Sequence, residues 1–133
     1  MEFDNTMSDL KFLVVEDEAT SALIMKIFFE SMGYDIGEVA ATGEEAVLRG
    51  IKEKPDIVFM DIQLAGKIDG IEAAEQIISQ CQNTSIVFVT AYSDEETVAR
   101  AKKLNPVDYI LKPFNLDDLK KIIESVTSGR KIN

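Results

Sequence analysis

Short apolar runs alternate along the chain with longer amphipathic ones. The short runs are Phe12 to Val15, Ile36 to Ala40, Ile57 to Met60, Ile86 to Val89 and Tyr109 to Leu111. Four of the five are unbroken apolar, as parallel strands covered on both faces should be. The second carries Gly37 and Glu38 inside it and suits a sheet edge. Between the runs, Ala19 to Met32 is strongly apolar and stops at Gly33, a residue suited to the left-handed position after a helix. Thr42 with Glu45 three places on is a capping-box pattern, and the helix it opens ends before Pro55. Ile71, Ala74, Ile77, Ile78 and Cys81 share one helical face, and Leu116, Leu119, Ile123 and Val126 share another. From Asp94 to Lys103 the apolar set is only Val98, Ala101 and Leu104, which predicts a weakly packed helix able to move or meet a partner.

Strands alternating with helices predict an α/β domain, a single doubly wound five-stranded parallel sheet with five helices and right-handed crossovers. The domain is expected over residues 11–128, with tails at 1–10 and 129–133. Met7 is a second candidate start. The chain closes soon after the fifth helix, so a free-standing protein and a piece of a longer one are both open.

The 133 residues match one ordinary domain. With 24 acidic against 14 basic residues the net charge is -10, which argues against direct binding to nucleic acid. Histidine is absent, which removes the commonest general base and transition-metal ligand. The single cysteine, Cys81, excludes an internal disulfide and reads as a small core hydrophobe. No stretch is long enough for a membrane span, and the acidic opening Met1 to Asn5 is unlike a signal peptide. A cytoplasmic protein with no membrane insertion is expected.

Sheets of this kind place their sites at the carboxyl ends of the strands. There the sequence puts Glu16-Asp17-Glu18, Asp61, Thr90 and Lys112-Pro113. Any one of these can be read as a helix cap. Together they converge, because neighbouring strands lie about 5 Å apart. Two like charges at that distance repel by roughly 3 kcal/mol at an effective dielectric near 20, so Glu16, Asp17 and Asp61 call for a cation. An all-oxygen set suits a hard divalent ion such as Mg²⁺. A metal, a lysine and a hydroxyl around a carboxylate are equipment for phosphoryl transfer. No phosphate-cradling glycine loop follows the first strand, so nucleotide binding is disfavoured. With no base to activate a hydroxyl, the carboxylate of Asp61 is the expected nucleophile, giving an aspartyl phosphate.

Leu13-Val14-Val15-Glu16-Asp17-Glu18, Val58-Phe59-Met60-Asp61, Val89-Thr90-Ala91 and Tyr109-Ile110-Leu111-Lys112-Pro113-Phe114 resemble the receiver domain of two-component response regulators. The resemblance runs from about Lys11 to Val126 and implies a flavodoxin-like sheet of strand order 2-1-3-4-5. It implies that Asp61 accepts a phosphoryl group from a histidine kinase or phosphotransfer protein. Mg²⁺ would be held by Glu16, Asp17, Asp61 and the backbone carbonyl of Gln63. Lys112 would pair with Asp61 and then with the phosphoryl oxygens, Thr90 would move in to hydrogen-bond them, and Tyr109 would turn inward as the switch. The peptide before Pro113 would be cis.

The chain departs from the family pattern at three places. Glu16 stands where Asp is commoner. The usual Met-Pro turn after the phosphorylated residue is replaced by Gln63 to Gly70, one residue longer, with Asp69-Gly70 opening the third helix. Asn105-Pro106-Val107-Asp108 replaces a Gly-Ala turn, with Asn105 suited to the left-handed conformation. Gln63 and Tyr92 occupy the positions that influence phosphoryl lifetime.

The expected activity is that of a signalling switch rather than an enzyme, limited to self-directed phosphoryl transfer. It would be read out through the fourth helix, the fifth strand and the fifth helix, where a receiver homodimer is also expected. Arg100, Lys102 and Lys103 form a basic cluster there, read as a solvated face or a contact for an acidic partner. The competing readings are a phosphorylation-independent docking module and a phosphohydrolase, which usually has a second acid where Gln63 stands.

Overall fold

In the computed structural model, residues 10–132 are described. The expected tail at 1–10, with the candidate start Met7, lies outside the described residues except for Leu10, which is buried. In chain order the elements are β1 (Phe12–Val15), α1 (Ala19–Ser31), α2 (Gly43–Glu53), β2 (Ile57–Met60), α3 (Gly70–Gln80), β3 (Ser85–Thr90), α4 (Glu95–Lys102), β4 (Asp108–Leu111) and α5 (Leu116–Ile132). The strands form one parallel sheet in the order β1-β2-β3-β4, with Val15 opposite Met60, Met60 opposite Phe88 and Phe88 opposite Tyr109. The flavodoxin-like architecture fits, and all five helices form.

The expected fifth strand does not form, so the five-stranded sheet of order 2-1-3-4-5 is replaced by a four-stranded one. The segment Ile36 to Ala40 reaches β1 at a single residue. Ala40 N–H donates to Val14 O at 2.9 Å, and Glu16 N–H donates to Ala40 O at 2.8 Å. Upstream, Gly37 turns into the left-handed region at φ 63° and its N–H donates to Asp35 Oδ1. The carbonyls of Gly37 and Glu38 are taken by Lys26 Nζ at 3.0 Å and Arg49 Nη1 at 2.6 Å. A left-handed turn at Gly37, held by side-chain donors on the carbonyls of Gly37 and Glu38, breaks the extended path that a ladder needs. The Gly37-Glu38 pair that marked this run as an edge strand is what removes it from the sheet.

Each face of the sheet carries its own core. Phe12, Val14, Phe59, Val87 and Val89 face Met25 and Phe29 of α1 and Leu119, Ile122 and Ile123 of α5, joined by Tyr34 and Ile36. Leu13, Val15, Val58, Met60 and Phe88 face Ala46, Ala74, Ile77 and Ala101. The first is aromatic: Phe12 packs edge-on to Phe29 at 5.2 Å and Phe29 lies 4.7 Å from Phe59. Cys81 is buried in the second, as a small core hydrophobe should be.

Local signals in the sequence explain most helix ends. After α1, Gly33 at φ 97° closes a Schellman turn, with Gly33 N–H on Glu30 O and Tyr34 N–H on Phe29 O. Thr42 caps α2 through Glu45 N–H, while Glu45 reaches back one residue further than a capping box requires, to Ala41 N–H. Asp69 and Glu72 make the complete box at α3. Helix α4 buries only Ala101, in keeping with its thin apolar face. On α5 the buried apolar residues are Leu119, Ile122 and Ile123, Thr127 is buried with them, and Leu116 is exposed. Asn105 takes the left-handed conformation at φ 52°. Among the described residues no helix is long and apolar enough to cross a membrane.

Candidate functional site

The pairing of Val15 with Met60 brings the ends of β1 and β2 side by side, and Asp61 N–H donates to Val15 O at 3.0 Å. Glu16, Asp17 and Asp61 thereby meet, with one carboxylate oxygen of each within 4.8 Å of the others. Glu16 and Asp61 are buried, and Asp17 is exposed. Lys112 arrives from the end of β4, its N–H donating to Thr90 O at 2.8 Å and its peptide to Pro113 cis. Its ammonium donates to Asp61 Oδ2 at 2.9 Å and to Glu16 Oε1 at 2.5 Å. The remaining oxygens are held by backbone: Glu16 Oε2 accepts from Glu18 N–H at 3.1 Å, and Asp61 Oδ1 accepts from Gln63 N–H at 3.3 Å.

Burial pushes the Glu16 carboxyl up to about 7, opposed by Lys112 and reinforced by the neighbouring Asp61. Burial alone would lower Lys112, but its hydrogen bonds and the charges of Glu16 and Asp61 outweigh that and hold it above its ordinary value. The lysine is therefore a fixed positive charge. Three carboxylates facing one ammonium leave an excess of negative charge in a partly desolvated pocket. The donor set is oxygen only, which fits a hard divalent cation. Glu16, Asp17 and Asp61 are the residues able to hold it, with the Gln63 backbone beside them in the turn after Asp61.

Thr90 and Tyr109 lie across the sheet edge. Thr90 is buried, and its Oγ1 accepts from Tyr92 N–H at 3.4 Å. The Tyr109 hydroxyl donates to Tyr92 O at 2.8 Å, and its ring centroid is 6.1 Å from that of Phe88. Both expected switch residues thus meet the backbone of Tyr92. They connect to the carboxylates through Thr90 O and the Lys112 N–H. Burial, then the charges of Asp94 and Asp61, raise the Tyr109 phenol above its ordinary value.

Three features were not read from the sequence. Gly70 comes so close to the backbone of Asp61 and Ile62 that no side chain fits there; its N–H donates to Ile62 O at 2.8 Å. Arg100 of α4 pairs with Asp69 at 3.1 Å, so one member of the basic cluster has an internal partner and ties α4 to the cap of α3. Leu23, Ile24 and Ile27 stand exposed on α1, which begins just after Asp17 and Glu18. The apolar spacing of α1 held a signal for this last feature, because too many of its positions are apolar for one buried face. The Arg100 pair joins residues 31 apart and had none.

Fold and pocket define a flavodoxin-like α/β domain with a carboxylate and lysine cluster at the carboxyl edge of its sheet. Residues 12–124 match the response regulator receiver domain, and the chain belongs to that family. It is 36% identical over 118 residues to the transcriptional regulatory protein PdtaR of Mycobacterium tuberculosis, covering 89% of this chain and 57% of PdtaR. It is 28% identical to sporulation initiation phosphotransferase F of Bacillus subtilis, covering 89% of this chain and 94% of that protein. In structure it is similar to the signal receiver domain of a modulated diguanylate cyclase from Desulfovibrio desulfuricans G20, with TM-score 0.84 and 40% identity. That match covers 92% of this chain and 97% of the other. The chain thus spans little more than half of PdtaR and almost all of the phosphotransferase. Receiver domains serve two-component systems and interact with histidine kinases or phosphotransfer proteins.

Proposed function

We propose that this chain is a phosphorylation-controlled switch in which Asp61 accepts a phosphoryl group from a histidine kinase or phosphotransfer protein. The observation that carries the reading is the grip of Lys112 on Asp61 and Glu16, inside a pocket that stays negative after the lysine is counted. A Mg²⁺ ion held by Glu16, Asp17, Asp61 and the Gln63 carbonyl would neutralise charge on the transferring group. The chain's own residues do the rest. An Asp61 carboxylate oxygen attacks phosphorus, the phosphorus–nitrogen bond of the donor phosphohistidine breaks, and its electron pair returns to the imidazole. Lys112 offers its ammonium to a phosphoryl oxygen, and Thr90 turns its hydroxyl toward another. That turn releases Tyr92 N–H and alters the surface at Tyr92 and Tyr109.

The protein turns over no separate substrate in this scheme, so it is a signalling phosphoacceptor rather than an enzyme. Its place is the cytoplasm. The exposed Leu23, Ile24 and Ile27 of α1, the helix that follows Asp17 and Glu18, receive the donor, and Val107 and Leu111, exposed near α4, serve the readout or a homodimer. Intact mass after incubation with Mg²⁺ and acetyl phosphate tests the reading. One added phosphoryl group, dependent on the metal and lost in Asp61→Asn, is expected. No adduct under any condition would overturn it in favour of a docking module.

A further inference from the structure

Three consecutive residues, the α2 cap Thr42 and the first two residues of α2, hold the loop from Asp61 to Gly70. Thr42 forms a parallel bridge with Ala65. A Cβ on Gly43 would lie 2.8 Å from Ile68 O, so the loop backbone lies directly on the helix at that point. Glu44 Oε2 accepts from Lys67 N–H at 2.8 Å, across 23 residues of sequence. Gly66, at φ 100°, wraps so closely over the same carboxylate that a side chain there would strike Glu44 Oε1. At its far end the loop is fixed by Gly70 N–H on Ile62 O and by the Asp69 cap. Its near end is Gln63, whose N–H meets Asp61 Oδ1. The Glu44 contact is therefore the middle fastening of the loop whose first turn orients the Asp61 carboxylate.

We propose that Glu44 is a positioning residue for the pocket: by holding Lys67 N–H it sets the path of the loop after Asp61 and so the place of Gln63 beside the cation. The inference rests on the phosphoacceptor reading above. The role asks for an acceptor oxygen, not for a charge, and this separates it from simple attraction between an acidic side chain and a metal. Gln keeps the oxygen and loses the charge, whereas Ala loses both.

The test compares the parent with Glu44→Gln and Glu44→Ala. Mg²⁺ is titrated by the amide shift of Gln63, phosphoryl loss is timed after loading with acetyl phosphate, and the urea midpoint is measured for each. Expected for Glu44→Ala is a fall in Mg²⁺ affinity of about tenfold, the lower end for loss of a residue that orients a metal ligand. A changed rate of phosphoryl loss should accompany it, while Glu44→Gln stays near the parent in both. Equal losses in the two variants would mean that charge alone acts, and the proposal would be overturned. Glu44→Ala indistinguishable from the parent would overturn it equally. A parent that binds no Mg²⁺ and takes no phosphoryl group would instead remove the phosphoacceptor reading, and this inference with it.

Discussion

Replacing Gly70 with alanine should damage both the fold and the pocket. A Cβ at this position would lie 2.8 Å from the carbonyl carbon of Asp61 and 2.9 Å from Ile62 Cα, and closer still to Asp61 O. The contact with Asp61 O is the tightest of the three and sets the movement, so the backbone must yield by more than about 1 Å to restore an ordinary carbon–oxygen separation. These neighbours are main chain, and no flexible side chain can swing aside. Overpacking costs typically about 1–3 kcal/mol, and a clash with main chain on this scale falls at the upper end, about 3 kcal/mol. The gain of Ala over Gly in a helix interior is about 1 kcal/mol, and less at a first helical residue such as Gly70. A net loss of about 2 kcal/mol remains, which lowers a urea midpoint by about 1 M at an m-value near 2 kcal/mol/M. Since the displaced atoms belong to Asp61 and its neighbour, phosphoryl uptake from acetyl phosphate should also fall in the population that stays folded. Gly33→Ala is the control. Nothing lies within 4 Å of its added Cβ, yet φ 97° strains it, so it should lose stability without losing uptake by the folded fraction. A Gly70→Ala protein with the parent's midpoint and uptake would refute the reasoning.

Asp69→Ala should cost about 1–2 kcal/mol by removing a cap, while Arg100→Ala, which loses only a half-exposed ion pair, should cost less than about 1 kcal/mol; chemical unfolding of both and of the double variant checks this. Leu23→Ala combined with Ile27→Ala should slow phosphoryl transfer from a phosphohistidine donor by about tenfold, a loss typical of an interface anchor, and leave uptake from acetyl phosphate unchanged. Equal slowing from both donors would count against α1 as the docking face. Tyr109 should titrate above its ordinary 10.0, because burial and the charges of Asp94 and Asp61 favour the neutral phenol. The stability this contributes is complete below pH 10.0 and is lost as pH rises through the higher folded value. Phenolate absorbance of the parent against Tyr109→Phe measures it.

The parts of this molecule legible in the sequence are those governed by local rules. Unbroken apolar runs gave β1, β2, β3 and β4, and Gly33, Thr42 and Asp69 marked helix boundaries because caps and left-handed turns act within a few residues. The acidic and lysine ends of the strands were legible as a set because parallel pairing alone brings them to one edge. What failed was the strand at Ile36 to Ala40. Its fate depends on Lys26 and Arg49 capturing carbonyls 11 residues away in each direction, which no pattern within the run reveals. The Glu44 and Arg100 contacts were invisible because charged residues on helix surfaces are usually solvated, and only the fold selects the exceptions.

The bond from the Tyr109 hydroxyl to Tyr92 O has a use apart from signalling. The chain has no tryptophan and three tyrosines, so its near-ultraviolet emission is tyrosine emission. Tyr34 is sealed in the aromatic core on the opposite face of the sheet from Tyr109 and serves as the background. The Tyr109 hydroxyl meets the Tyr92 backbone in the loop that Thr90 touches. Any event that breaks or remakes that bond changes the surroundings of one phenol against that background, so the protein carries its own optical probe and needs no added label.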